Sequence, residues 1–80
     1  MEQKIKRIFA ELLGIEESKI NNSSSYNSLE GWDSLKHLEI VSRLEEEFGI
    51  SISMDDIIAM SDFGKVIKIV QKYIDPKNKS

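Results

Sequence analysis

Apolar side chains at Ile5, Ile8, Phe9, Leu12 and Leu13 recur at the i, i+3, i+4, i+7, i+8 spacing of a helix with one buried face, and Gly14 follows as a stop. The spacing predicts a first helix over about residues 2–14. From Ile15 to Trp32 no period is sustained, and Asn, Ser and Glu dominate around Asn21-Asn22-Ser23-Ser24-Ser25. A connection of that length in a small domain is expected to be anchored by its own side chains, with Ile15, Ile20, Tyr26 and Leu29 packed on the core. Gly31-Trp32-Asp33 then supplies a turn, an apolar residue and an N-cap acid. A second helix over 34–48 follows, carrying Leu35, Leu38, Ile40, Val41, Leu44 and Phe48, and Gly49 ends it. Trp32, just before the cap, is placed to pack back near His37 in the manner of a hydrophobic staple.

Ile50-Ser51-Ile52 alternates like a strand but has no partner strand, so it is expected as extended loop. Ser53-x-x-Asp56 resembles a capping box with Asp in place of Glu, opening a short third helix over about 54–59. Ser61 is expected to cap a fourth helix over about 62–74, where Phe63, Val66, Ile67, Val70, Tyr73 and Ile74 keep helical spacing until Pro76 forbids continuation. Residues 1–75 thus form one domain and 76–80 a frayed tail. The fold class is all-α, a four-helix bundle with a short third helix and a long first connection.

Composition narrows the chemistry. A chain of 80 residues buries only about 60% of its unfolded surface, so a deep multi-part active site is not expected. With no Cys and one His, disulfides, thiolate zinc, a cysteine nucleophile and a protein-only transition-metal site all fall away, and Asp55 with Asp56 do not make a calcium loop. The net charge of −3 is unevenly spread: four basic residues against five acidic over 1–30, two against eight over 31–62, and five against one over 63–80. The acidic centre argues against a nucleic-acid partner. The charged start of the first helix, the lack of an apolar signal region and the lack of any spanning run lead to the expectation of a soluble, cytoplasmic monomer away from membranes.

The chemical signal is Gly31-Trp32-Asp33-Ser34-Leu35, which sets a hydroxyl in the first turn of a helix. Backbone N–H groups there lack intrahelical acceptors and the helix dipole adds positive potential, so an anion on Ser34, such as a phosphate ester, would be favoured. Taken alone, the same residues are an ordinary cap and first turn. An enzyme would make Ser34 a nucleophile and His37 its base, but neither an orienting acid nor an oxyanion site accompanies them, and no catalytic residue is assigned.

Asp33-Ser34-Leu35, the Leu44-Glu45-Glu46-Glu47-Phe48-Gly49 helix end and Ile50-Ser51-Ile52 together closely resemble the acyl carrier protein family, over nearly the whole chain. The resemblance implies a non-enzymatic carrier in which Ser34 bears 4′-phosphopantetheine, derived from coenzyme A and attached by a phosphopantetheinyl transferase. The thiol of that arm would hold acyl intermediates as thioesters, which a cysteine-free chain cannot do itself. Other implied partners are an acyl-loading ligase or acyltransferase and a ketosynthase or similar enzyme of fatty acid or polyketide synthesis. By the same resemblance Asp33, Leu35, Lys36, Glu39, Glu45 and Asp55 would meet partners, and Leu38, Val41, Leu44, Ile52, Ile57 and Met60, otherwise core residues, would line an acyl pocket. Lys36, His37, Ser42 and Arg43 depart from the pattern of fatty-acid carriers, and the Trp32-Asp33-Ser34-Leu35 form looks more like stand-alone carriers devoted to a particular pathway, such as polyketide, peptide or surface-saccharide acyl transfer. A peptidyl or aminoacyl carrier and a small helical interaction module without an arm are the alternatives. Trp32 and Leu35, if exposed beside Ser34, would favour weak self-contact at high concentration.

Overall fold

The computed structural model describes residues 2–25 and 28–74. Four helices follow in order: α1 (Glu2–Leu13), α2 (Ser34–Phe48), α3 (Met54–Ala59) and α4 (Phe63–Ile74). Among the described residues there is no strand, only an isolated bridge between Ser25 and Asp62. The expected all-α bundle with a short third member is therefore the fold. The expected position of Tyr26 and the tail after residue 75 lie outside the described residues.

The core forms where the apolar stripes of three helices meet. Ile5, Ile8 and Phe9 of α1, Ile40, Val41 and Leu44 of α2, and Phe63, Val66, Ile67 and Val70 of α4 are all buried. Phe9 sits at the centre, with the rings of Trp32 and Phe63 edge-on to it at 4.9 and 5.0 Å between centroids. Edge-to-face contacts of this kind add to the area term of burial. Trp32, at 2% exposure, is thus a core residue, and its proposed role in self-contact through exposure is corrected.

The long connection is ordered by three devices. A 3₁₀ turn at Glu17–Lys19, within a stretch that shows no sustained period, leads into the buried Ile20, while Ile15 and Leu29 pack partly buried against the core. Ser24 is buried, and its hydroxyl accepts from the Asn21 amide at 3.0 Å. The loop backbone then reaches α4: the carbonyls of Ser24 and Asn22 accept from the amides of Phe63 at 2.8 Å and Gly64 at 3.0 Å. These are two of the first-turn donors that a helix cannot satisfy itself. Gly64 suits the closeness of this approach, since a Cβ there would lie 3.1 Å from the Asn22 carbonyl oxygen and push the two segments slightly apart.

The cap of α4 also differs from expectation. Asp62, not Ser61, accepts from the Lys65 amide at 2.8 Å, because an N-cap side chain reaches the third helical N–H and Asp62 is the residue three before Lys65. Ser61 instead accepts from the Lys65 ammonium at 3.1 Å. At the far end of α2, Gly49 takes the left-handed conformation at φ 65°, which lets the amide of Ile50 return to the Glu45 carbonyl at 3.1 Å.

Candidate functional site around Ser34

Ser34 is the first residue of α2 and is exposed. Asp33 precedes it in extended backbone conformation, and its carboxylate accepts from the Lys36 amide at 2.9 Å, the N-cap bond read from the sequence. The hydroxyl therefore stands at a capped, fixed helix start where the dipole favours an anion.

Beside it, α2 and α3 part to form an apolar groove of about 320 Å³, with Ser34, His37 and Leu38 on one wall, Met54, Ile57 and Ile58 on the other, and Met60 and Ser61 at the end. Leu38 is 54% exposed and Ile58 72% exposed, so large apolar side chains of both walls are held open to solvent here. Leu38 was expected in the core; it lies three residues before Val41, at the edge of the buried stripe of α2, where it borders the groove and remains half in water. Of the residues named for an acyl pocket, Leu38, Ile57 and Met60 line the groove, whereas Val41, Leu44 and Ile52 are buried in the core and do not. Met54, Ile58, Ser61 and His37 line it without having been named, although the i, i+3, i+4 spacing of Met54, Ile57 and Ile58 was visible in the sequence.

His37 is the hinge between the walls. The Trp32 indole N–H donates to His37 Nδ1 at 2.9 Å, and His37 Nε2 lies 2.8 Å from the Ile57 carbonyl. Indole can only donate and a carbonyl can only accept, so the ring is neutral with its proton on Nε2. The indole and imidazole also stack, 5.8 Å apart with 23° between planes. Because both ring nitrogens are engaged by Trp32 and Ile57, the imidazole is not arranged as a base for Ser34.

The charged residues named for partner contact do different things. Lys36 pairs with Glu39 at 3.1 Å along α2, and Arg43 pairs with Glu11 of α1 at 2.9 Å, so each base that interrupts the acidic helix is matched by an acid. Glu45 turns inward, its carboxylate accepting from the Ile52 amide at 2.8 Å. Leu35 and Asp55 are exposed. Asp56 of α3 accepts from Lys72 at 2.8 Å and from the Tyr73 hydroxyl, both on α4. The Lys72 bond first, then that of Tyr73, holds the Asp56 carboxyl below the ordinary carboxylate range, and the same Asp56 bond raises Lys72 above the usual lysine value. The expected capping box is half formed: Ser53 Oγ accepts from the Asp56 amide, but the Ser53 amide donates to Tyr73 Oη at 3.0 Å, since the Asp56 carboxylate is taken up by α4. Among the described residues no group of three or more His, Cys, Asp or Glu is placed to hold a metal, and no helix is long and apolar enough to cross a membrane.

A helical bundle that offers an exposed serine at a capped helix start, next to an open apolar groove, defines a carrier scaffold. The chain belongs to the family described as phosphopantetheine attachment site, whose profile matches residues 3–70. Its fold is similar to that of a holo acyl carrier protein from Geobacter metallireducens solved by solution NMR, at a TM-score of 0.84 and 20% identity, covering 98% of this chain and 90% of that one. The cofactor is a covalently attached 4′-phosphopantetheine, and the site fits it: Ser34 is an exposed residue at a helix start and the groove beside it is apolar.

Proposed function

We propose that Ser34 is the attachment residue and that the protein is an acyl carrier, presenting acyl groups as thioesters to the enzymes of a biosynthetic pathway. The observation that carries this reading is the placement of an exposed Ser34 at the rim of the apolar groove, in a chain of this family. When bound, the arm supplies the thiol that the cysteine-free chain lacks. Asp33 fixes the helix start that presents the hydroxyl, and the α2 dipole favours the phosphodiester charge there. Leu38, Ile57 and Met60, joined by Met54 and Ile58, give an apolar acyl chain a place to rest out of water. Residues 1–75 act as the carrier domain.

Partners dock around Ser34 through Leu35 and the charges of Lys36, Glu39 and Asp55, with Glu39 and Asp55 meeting basic groups in weak, salt-sensitive association. These partners are a phosphopantetheinyl transferase, a loading ligase or acyltransferase, and a ketosynthase or related acyl-processing enzyme. The mixed charge of α2 suits a dedicated pathway, polyketide or other specialised acyl transfer, better than general fatty acid synthesis. The protein works as a cytoplasmic monomer.

Intact mass before and after incubation with coenzyme A, magnesium and a promiscuous phosphopantetheinyl transferase tests the assignment. A gain of one phosphopantetheine group that vanishes in Ser34→Ala is the expected result. A folded chain that gains nothing would sink it and leave a helical interaction module. For the pathway, equal turnover by housekeeping and dedicated ketosynthases would remove the reason for a specialised role.

A further inference from the structure

α3 runs back along α2. The Ile52 amide, just before α3, is held by the Glu45 carboxylate late in α2, while the Ile57 carbonyl lies 2.8 Å from His37 Nε2, about one turn after Ser34. The groove therefore leads away from Ser34, past His37 and Ile57, toward Met54 at the far end of α3. At that far end α3 is tied to α4 through a phenol: Tyr73 Oη accepts from the Ser53 amide at 3.0 Å and donates to the Asp56 carboxylate. Lys72 also reaches Asp56, but its long side chain is half exposed and can follow a moving partner. The Tyr73 ring turns about few bonds and packs partly buried against the core, so it fixes a position that Lys72 does not.

We propose that Tyr73 is a specificity-determining positioning residue of this carrier: by fixing the Met54 end of α3 it sets the length of acyl chain that the groove shelters, a hydrocarbon of about a dozen carbons. The inference rests on the reading of the protein as an acyl carrier loaded at Ser34. A cavity of about 150 Å³ holds a six-carbon aromatic ring, and the groove offers about 320 Å³, which gives the figure. Beyond the Ser34 end the lining residues are Leu38, Met54, Ile57 and Ile58, all apolar, so a chain with polar groups along its length would bring them where no side-chain partner meets them.

Magnitudes decide whether one phenol can set such a limit. Burying a methylene is worth about fourfold in equilibrium, and each of the two Tyr73 bonds about fivefold. A chain must therefore exceed the groove by about two or three methylenes before its burial outweighs both bonds and the far end of α3 gives way.

Straight acyl chains of about six to eighteen carbons, installed on the full chain from acyl-coenzyme A by a promiscuous phosphopantetheinyl transferase, test the limit through the rate at which hydroxylamine cleaves each thioester. In the wild type, cleavage should slow by up to about fourfold per methylene to about twelve carbons and then stay level over the next two or three. In Tyr73→Phe the slowing should run on through that length without a plateau. Ile8→Val, a core change in α1 away from the groove, lowers stability without touching α3 and should keep the wild-type plateau, which separates positioning from general loosening. A Tyr73→Phe profile that levels where the wild type does overturns the proposal, as does a wild-type rate independent of chain length or an Ile8→Val chain that loses the plateau. Intact mass distinguishes the underlying failure: a chain that takes no acyl-phosphopantetheine at Ser34 ends the carrier reading and this one together, whereas a chain that loads and shows no plateau ends only the role of Tyr73.

Discussion

Helices α3 and α4 are neighbours in the chain and are held by opposite means. α4 fully buries Phe63, Val66, Ile67 and Val70, while α3 fully buries no side chain, packs only Ile57 partly against the core, and is otherwise retained by a cap and a few side-chain bonds. A helix of six residues has no stability of its own in water, so its order is borrowed from those bonds and from the packing of Ile57 and of the buried Ile52 and Met60 that flank it. Apolar burial is not directional and fails only when the core opens, whereas each polar bond can be released singly for about 1 kcal/mol. The groove beside Ser34 thus has one fixed wall, α2, and one wall that is cheap to displace.

The comparison breaks most severely at the α4 end. Phe63→Ala should cost about 3–5 kcal/mol, seen as a loss of the whole fold at lower denaturant, because it empties the place against Phe9. Acid should act next, at the Asp56 attachment of α3. Asp56 is held below its ordinary value when folded, so its contribution is full above the unfolded carboxylate range and is lost as pH falls through the folded value, that is, below about pH 4. Hydrogen exchange or NMR at such pH should show α3 released from α4 while Phe63, Val66 and Val70 keep their packing. Tyr73→Phe, which removes both the acceptor for the Ser53 amide and a donor to Asp56, should lower stability by about 1 kcal/mol in chemical denaturation and lower α3 protection first. Ile58→Ser should leave global stability within about 0.5 kcal/mol, since that side chain is already in water. Its effect should appear instead as weaker shelter for a loaded acyl chain, measured by chain-proton contacts to α3 in NMR.

Periodicity and caps made α2 and α3 readable to the residue, since Asp33, Gly49 and Ser53 each act on amides or carbonyls a few positions away. The cap of α4 was not readable in the same way. Ser61 and Asp62 are both able to cap, and the choice is fixed by Asn22 and Ser24, distant residues whose carbonyls take the first amides of the helix. The site divides similarly. Ser34 was legible from its local motif, and Trp32 near His37 from the staple position, but the groove was not: a helical stripe marks a residue as apolar without saying whether anything covers it. Leu38 and Met60 carry the same signal in sequence, yet one is half in water and the other is 1% exposed. Met54 and Ile58, exposed on α3, face the space that α2 leaves open.

The bonds from the Asn22 and Ser24 carbonyls to Gly64 and Phe63 also set the order of assembly. They join residues 22–24 to residues 63–64 across the whole of α2 and α3, so these two bonds to the first turn of α4 form only when a long stretch of chain has closed on itself. An otherwise local, helical topology is thereby given a slow, non-local step.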